Sequence, residues 1–216
     1  SFEAASDFLK GAERFAADGR NAGKGNALGI RWIPGPLRVL TKNMLLMDEP
    51  DHRRLRKLVD APFRKGWIDA YRPTIAGIAD RLLDEIEVRG EHDIVSGFAR
   101  ALPLEVICEM LGLQGDRREF MEWMTGFSGR MNAWTLIRII PTIGRLTAYL
   151  RKEIDRARVD QQPCLLTEIV NAEADGERMT DDEMMAMLIL LFVAGHETTT
   201  HLLSTGIHAL LTHRDQ

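Results

Sequence analysis

The chain is poor in the residues that define several classes of protein. Its 216 residues include two cysteines, two tyrosines and 6% aromatic residues. Cys108 and Cys164 lie far apart in sequence, which excludes a disulfide framework and a cysteine-rich zinc site and favours a reducing, cytoplasmic location. A formal net charge of −4 gives no overall electrostatic basis for nucleic-acid binding. The longest apolar run, residues 184–194, is shorter than the ~20 residues that span a bilayer, so no membrane segment is predicted.

What the sequence does contain is helical periodicity. With 45% hydrophobic and 28% charged residues the chain is able to bury a core. Alternating strand patterns are almost absent, so we predict one all-α unit. The predicted helices cover residues 3–18, about 48–59, 73–88, 98–112, 116–129, 142–159 and 164–174, with a loop at 19–36 and helix ends at Gly90, Gly112 and Gly115.

The last predicted helix, residues 181–213, is the most informative. Thr180 and Glu183 have the spacing of a capping box, in which each side chain bonds the other residue's backbone N–H. Residues 184–194 are apolar on every side, which indicates a buried helix. At ~1.5 Å per residue the helix is roughly 50 Å long, enough to cross a whole domain.

A polar stretch, residues 195–201, interrupts this buried helix. Glycine and threonine are poor helix formers, and a carboxylate inside a core is costly. This favours a functional segment, while a solvated helix end stays the alternative. His196 and His201 are five residues apart, about 140° around the helix, whereas a zinc protease needs a four-residue spacing. We therefore predict no metal site, and expect His196 to point to solvent or to a neighbouring helix.

The small residues in this stretch allow a large flat ligand to approach. Ala194 and Gly195 lack bulk, so a cofactor could lie against the helix there. The Thr198 hydroxyl can bond back to the Ala194 carbonyl or turn to a ligand, and Glu197 can pass protons. The residues predict a groove with an acid and an alcohol beside a flat cofactor.

Three segments resemble the bacterial cytochrome P450 family. Leu190–Thr199, with Ala-Gly-His-Glu-Thr-Thr, matches the I-helix signature Ala-Gly-x-Glu/Asp-Thr-Thr. Met47–Arg56 resembles the C-helix pattern Asp-Pro-Pro-Glu-His-x-Arg-Leu-Arg, with Glu49 where the family usually has proline. Leu104–Gly112 is similar to the E-helix. These segments occur in the family's order, and with their spacings the resemblance covers nearly the whole chain.

The resemblance implies a haem b monooxygenase that inserts one oxygen atom from O2 into a small organic substrate. Glu197 and Thr198 would be the acid–alcohol pair that delivers protons, and Ala194, Gly195 and Thr198 would line the haem. His52 and Arg56 would bind the haem propionates. Their i, i+4 spacing suits a carboxylate ligand, although a solvated basic helix face has the same pattern.

The resemblance also implies a redox partner. In the family, an acidic ferredoxin or flavodoxin docks on the surface that here carries Arg53, Arg54, Lys57, Arg64 and Lys65. Complementary charge would speed that encounter. A patch that only increases solubility is the alternative.

Two family features are not found among these residues, the Glu-x-x-Arg pair and the glycine-flanked cysteine loop that supplies the iron ligand. Cys108 and Cys164 lack that context, so we predict structural roles for both. We expect residues 1–216 to be a partial domain, without the N-terminal sheet region, from a chain roughly twice as long. Alone it would be inactive. The alternative is a non-catalytic helical remnant or interaction module without stable haem.

Overall fold

The structure is a computed structural model. It describes residues 2–10, 16–18, 38–60, 63, 65–89, 93–114, 119–120, 122–123 and 133–215. Its helices are α1 (Phe2–Lys10), α2 (Asp51–Asp60), α3 (Lys65–Ala70), α4 (Arg72–Arg89), α5 (Ala101–Leu111), α6 (Ala133–Asp160), α7 (Leu165–Asn171) and α8 (Asp181–Thr212). Short 3-10 turns at Val39–Thr41 and Met44–Leu46 precede α2, and a π-helical turn at Val95–Ala99 precedes α5.

The predicted all-α architecture is confirmed. Strand structure in the described part of the chain is one two-residue hairpin, β1 (Glu173–Ala174) and β2 (Glu177–Arg178). The predicted loop at 19–36 and the helix ends at Gly90 and Gly115 lie outside the described residues, as does most of the predicted helix at 116–129.

Two helix boundaries show how local and tertiary effects compete. α5 ends as predicted at Gly112, whose φ of 64° is left-handed and whose N–H caps the Glu109 carbonyl at 3.0 Å. The sequence predicts a helix that begins after Pro141, but α6 begins at Ala133 and contains that proline. This boundary prediction is wrong because a proline removes one helical hydrogen bond without always ending the helix.

The core is built around the first half of α8. Residues 183–189 and Phe192 are all buried there, which confirms the predicted buried helix over its first two turns. Leu190, Leu191 and Val193 are only partly buried, and Ala194 is exposed. The Phe192 ring lies 4.2 Å, centroid to centroid, from that of Phe120. By length and hydropathy α8 could also span a membrane. That is weak evidence, because the central helix of a packed core has the same properties.

The first turn of α8 forms ion pairs with three other parts of the chain. Its three consecutive acids each form an ion pair with a different element: Asp181 with Arg158 of α6, Asp182 with Lys42 at 2.6 Å, and Glu183 with Arg54 of α2. Acids at a helix N-terminus are also favoured by the helix dipole. The hydrogen bond from Arg158 holds the pKa of Asp181 below its ordinary value.

Glu183 has two roles in this turn. The predicted capping box is confirmed: the Glu183 carboxylate accepts from the Thr180 N–H at 2.8 Å, and the Thr180 hydroxyl accepts from the Glu183 N–H at 3.3 Å. Burial acts to raise the pKa of Glu183, but the bonds from Thr180 and Arg54 outweigh it and hold that pKa below its ordinary value. The carboxylate is therefore charged and fixed at a point where α2 meets α8.

The hairpin adds a second attachment for α2. Asp175 and Gly176 both have positive φ, at 56° and 78°, as a tight two-residue hairpin turn requires. The hairpin then brings Asp175 to within 3.0 Å of Lys57 and Glu177 to within 3.6 Å of Arg54.

Replacing Gly112 by alanine tests the α5 terminus. A Cβ there would lie 2.8 Å from the Cys164 Cβ and 2.9 Å from its Sγ, on a left-handed backbone. We expect Gly112→Ala to lower the free energy of unfolding by about 2–3 kcal/mol. Gly144→Ala is the matched control, because nothing lies within 4 Å of its added Cβ. It should be neutral or stabilise by up to about 1 kcal/mol. Urea unfolding that gives equal effects for the two variants would contradict the assignment.

Candidate functional site

The middle of α8 has one buried and one exposed face. His196 and Thr200, four residues apart, are buried, whereas Ala194, Glu197 and Thr198 are exposed. Neighbouring positions on a helix are about 100° apart, so the two faces separate within one turn. The predicted acid, alcohol and small residue therefore share an open surface beside the core.

The Thr198 hydroxyl adopts the first of its two predicted arrangements. It donates to the Ala194 carbonyl at 2.5 Å, and on the buried face Thr200 bonds back to His196 in the same way at 2.8 Å. Such a bond leaves the hydroxyl oxygen free to accept from water or a ligand. Glu197, one residue earlier, forms no ion pair with the described residues. Thr198 and Glu197 are thus accessible polar groups on the open surface.

Helices α8 and α5 approach each other closely at Gly195. A Cβ at this position would lie 3.2 Å from Cδ1 of Ile107. Its missing side chain therefore allows the two helices to approach, which differs from the predicted contact with a flat cofactor. Ala194, not Gly195, is the small residue that the structure leaves exposed.

His196 is buried against its neighbours, with 6% of its surface exposed. The expectation that it points to a neighbouring element holds, and the solvent alternative does not. Burial lowers its pKa, the charge of Arg100 lowers it further, and Glu197 acts in the opposite direction. His201 is exposed, so the two imidazoles point apart. No cluster of metal-ligating side chains occurs among the residues that the structure describes.

The second candidate group lies on α2. His52 is half-buried, and its Nδ1 is 2.8 Å from the Met44 carbonyl oxygen. Because a carbonyl only accepts, Nδ1 donates and Nε2 is the nitrogen left for a ligand. Arg56, one turn later, is exposed and forms no ion pair with described residues. The free Arg56 guanidinium is a suitable donor for a carboxylate. The free Nε2 of His52, on the same helix face, donates only when the imidazole is protonated.

The predicted basic patch needs a correction. Arg54 does not face a partner: its side chain is 26% exposed and forms ion pairs with Glu183 and Glu177. Arg53 and Lys57 are exposed but paired locally, with Glu49 at 3.2 Å and with Asp175 at 3.0 Å. Arg64 and the Lys65 side chain lie outside the described residues. The described part of the patch therefore has fewer free charges than its sequence indicates.

The two cysteines are both buried, Cys108 fully and Cys164 to 6% exposure. The Cys164 Sγ lies 3.3 Å from the Thr167 hydroxyl. These surroundings agree with structural roles.

The structure does not bring the two candidate groups into direct contact. His52 and Arg56 are on α2, and Ala194, Glu197 and Thr198 are on α8. The Arg54–Glu183 ion pair links these helices, and Glu183 is 14 residues, about 21 Å, from Glu197 along α8. The ion pair between Arg54 and Glu183 is a contact that the sequence did not predict. The spacing between Thr180 and Glu183 predicts the capping role of Glu183, but it does not predict the ion pair with Arg54.

Comparison with known proteins defines the class. The family model for cytochrome P450 matches residues 138–216, and a bacterial cytochrome P450 matches 97% of the chain by sequence and 99% by structure. The chain belongs to the cytochrome P450 family.

Individual relatives cover most of this chain. It is 38% identical to the vitamin D(3) 25-hydroxylase of Pseudonocardia autotrophica over 82% of its length and 43% of that protein. The structure of the Bacillus subtilis polyketide-synthase cytochrome P450 PksS superimposes with a TM-score of 0.86 at 32% identity, over 99% of this chain and 52% of that one. The myxobacterial CYP267B1, in complex with myristic acid, gives a TM-score of 0.83 at 31% identity, over 97% and 53%. The chain thus spans about half the length of the relatives it matches.

The buried imidazole of His196 predicts a pH effect on stability. Because its folded pKa is lowered, the unfolded state binds a proton that the folded state does not as pH falls through about 6.5. Stability should therefore decrease between about pH 7.5 and 5.5. His196→Leu, which removes both the titrating group and the buried unpaired Nε2, should have a flatter profile. Urea unfolding at each pH measures the difference, and identical slopes for the two proteins would refute it.

Proposed function

We propose that this chain is the central part, residues 1–216, of a longer haem-thiolate monooxygenase. The observation that carries this proposal is the exposed Ala194–Glu197–Thr198 surface on a long core helix, in a chain that superimposes on half of a cytochrome P450. The cofactor is haem b, and its cysteine ligand belongs to a part of the protein outside this chain. The chain by itself does not perform the reaction.

The exposed end of α8 supports a larger domain over a stand-alone module. Leu202, Leu210 and Leu211 are 72%, 62% and 61% exposed. Large apolar side chains along one helix normally pack against something, and leaving them in water is unfavourable. Their exposure favours a chain whose core is completed by further segments, and disfavours the remnant or interaction-module alternative.

The residues present fit a haem. Arg56 offers hydrogen bonds to propionates from the same helix face as His52, and Ala194 has no bulky side chain to obstruct a flat ring. Since His52 Nδ1–H is committed to Met44, its Nε2 donates to a carboxylate only when the ring is protonated, and otherwise accepts. The Arg56 guanidinium donates in either case.

The reaction transfers one oxygen atom of O2 to the substrate and releases the other as water, with protons from solvent and electrons from a partner. When bound, the haem supplies the oxygen activation and the electron transfer that side chains cannot. Glu197 exchanges protons with solvent from its exposed position. Thr198 receives a proton through water and passes it on, after its hydroxyl turns away from the Ala194 carbonyl.

We propose a lipophilic organic substrate and a cytoplasmic location. One relative is a vitamin D(3) 25-hydroxylase, and one similar structure is a complex with myristic acid.

Electrons come from a ferredoxin or flavodoxin that docks on the remaining patch, Arg53, Lys57, Arg64 and Lys65. Since Arg54 is structural, Arg53→Glu is the informative charge reversal, and it should slow reduction at low salt. Unchanged reduction would remove the patch from this role.

The carbon monoxide difference spectrum tests the class of cofactor site. The full-length protein, reduced and exposed to carbon monoxide, should show the red-shifted band of a thiolate-ligated haem. Residues 1–216 alone, mixed with hemin, should not show that band, because Cys108 and Cys164 are both buried. A full-length protein without the band would overturn the proposal. The band in the chain alone would show that one of these cysteines ligates iron.

Thr198→Ala tests proton delivery. Without the hydroxyl, oxygen consumption should continue while product formed per oxygen consumed falls by about tenfold. Thr200→Ala is the control, since it removes an equivalent back-bonded hydroxyl from the buried face and should leave coupling unchanged. Oxygen uptake and product are measured together in the full-length enzyme. Full coupling in Thr198→Ala would exclude Thr198 from this role.

A further inference from the structure

Arg54 lies between the two carboxylate-binding candidates of α2 without sharing their face. It is two residues from both His52 and Arg56, which places it about 200° around the helix from each of them. Its guanidinium instead contacts Glu183 and Glu177. Any effect of Arg54 on a ligand bound by His52 and Arg56 is therefore indirect and arises from the position of α2.

The partner of Arg54 is unusually well fixed. One Glu183 oxygen is bound by Arg54, while the other accepts from the Thr180 N–H at 2.8 Å and the Thr180 hydroxyl at 3.0 Å. Glu183 is 8% exposed. A carboxylate held by its own helix cap gives the planar guanidinium a rigid reference point.

Apart from the hydrogen bond between His52 Nδ1 and the Met44 carbonyl, which does not reach α8, the other contacts of α2 described above are less directional. Leu55, Leu58 and Val59 are buried, but apolar packing permits small rotations and slides that a guanidinium–carboxylate pair resists. Lys57 and Asp175 are 57% and 81% exposed, and such surface pairs contribute little. Of the described contacts, the Arg54–Glu183 pair is the one that can set the rotation of α2 relative to α8.

We propose that Arg54 is a positioning residue for the cofactor carboxylates: it locks α2 to the capped N-terminus of α8 so that His52 Nε2 and Arg56 stay aligned on the propionates. This inference rests on the proposed haem site. It assigns to one arginine of the basic segment a role distinct from partner docking and from direct cofactor contact.

Haem retention in the full-length protein tests the proposal. Dissociation is followed by transfer to excess apomyoglobin, once with haem and once with haem dimethyl ester, whose propionates carry no charge. Arg54→Met should speed the loss of ordinary haem by about tenfold and the loss of the ester by no more than about twofold. Arg54→Lys, which retains the charge without the planar fork, should give an intermediate and equally selective effect and serves if the methionine variant does not fold.

Arg158→Met is the matched control. It breaks the ion pair of the same α8 turn with α6, through Asp181, so it weakens the turn without touching α2. It should change the dissociation rates of haem and of haem dimethyl ester by the same factor. If the Arg54 variants speed the dissociation of haem and of its dimethyl ester equally, Arg54 has only a general stabilising role and the inference is overturned.

Arg56→Met separates the inference from the proposed function. If Arg56→Met discriminates between haem and its ester but the Arg54 variants do not, only the positioning role fails. If Arg56→Met does not discriminate, or the full-length protein retains no haem, the proposed site fails and the inference with it.

Discussion

The buried carboxylate of Glu183 is the contact on which the arrangement of the helices depends. Its two oxygens bind the Thr180 cap and Arg54, so the start of the central helix and the orientation of α2 depend on one charged group. Asp181 and Asp182 extend the same turn to α6 and to Lys42. A buried charge is costly unless several donors share it, and here the donors are Thr180 in the same turn and Arg54 on α2.

From that turn onward, α8 changes its role along its length. Residues 183–189 are buried and form the centre of the core. Farther along, His196 and Thr200 stay inside while Glu197 and Thr198 face outward. A rigid helix anchored in the core at one end can hold reactive side chains in constant register at a surface. The same helix therefore supports the fold and positions the acid–alcohol pair.

Local features were predicted well because local chemistry decides them. The Thr180–Glu183 capping box and the end of α5 at Gly112 depend on residues within one turn. The start of α6 was predicted wrongly, because a helix continues through Pro141 where the rest of the fold supports it. The role of Arg54 was also missed, since its acidic partners lie 123 and 129 residues later in the chain.

The sequence by itself determined the all-α class, the buried central helix and the residue types of the candidate site, because periodicity, caps and short motifs are local properties of the chain. Only the tertiary structure decided which of those side chains are available. It turned Arg54 inward to Glu183, placed Gly195 against Ile107, and left Ala194, Glu197, Thr198 and Arg56 exposed. The physical reason is that a charge or a missing side chain acquires its role from what packs against it. Those neighbours come from distant parts of the chain.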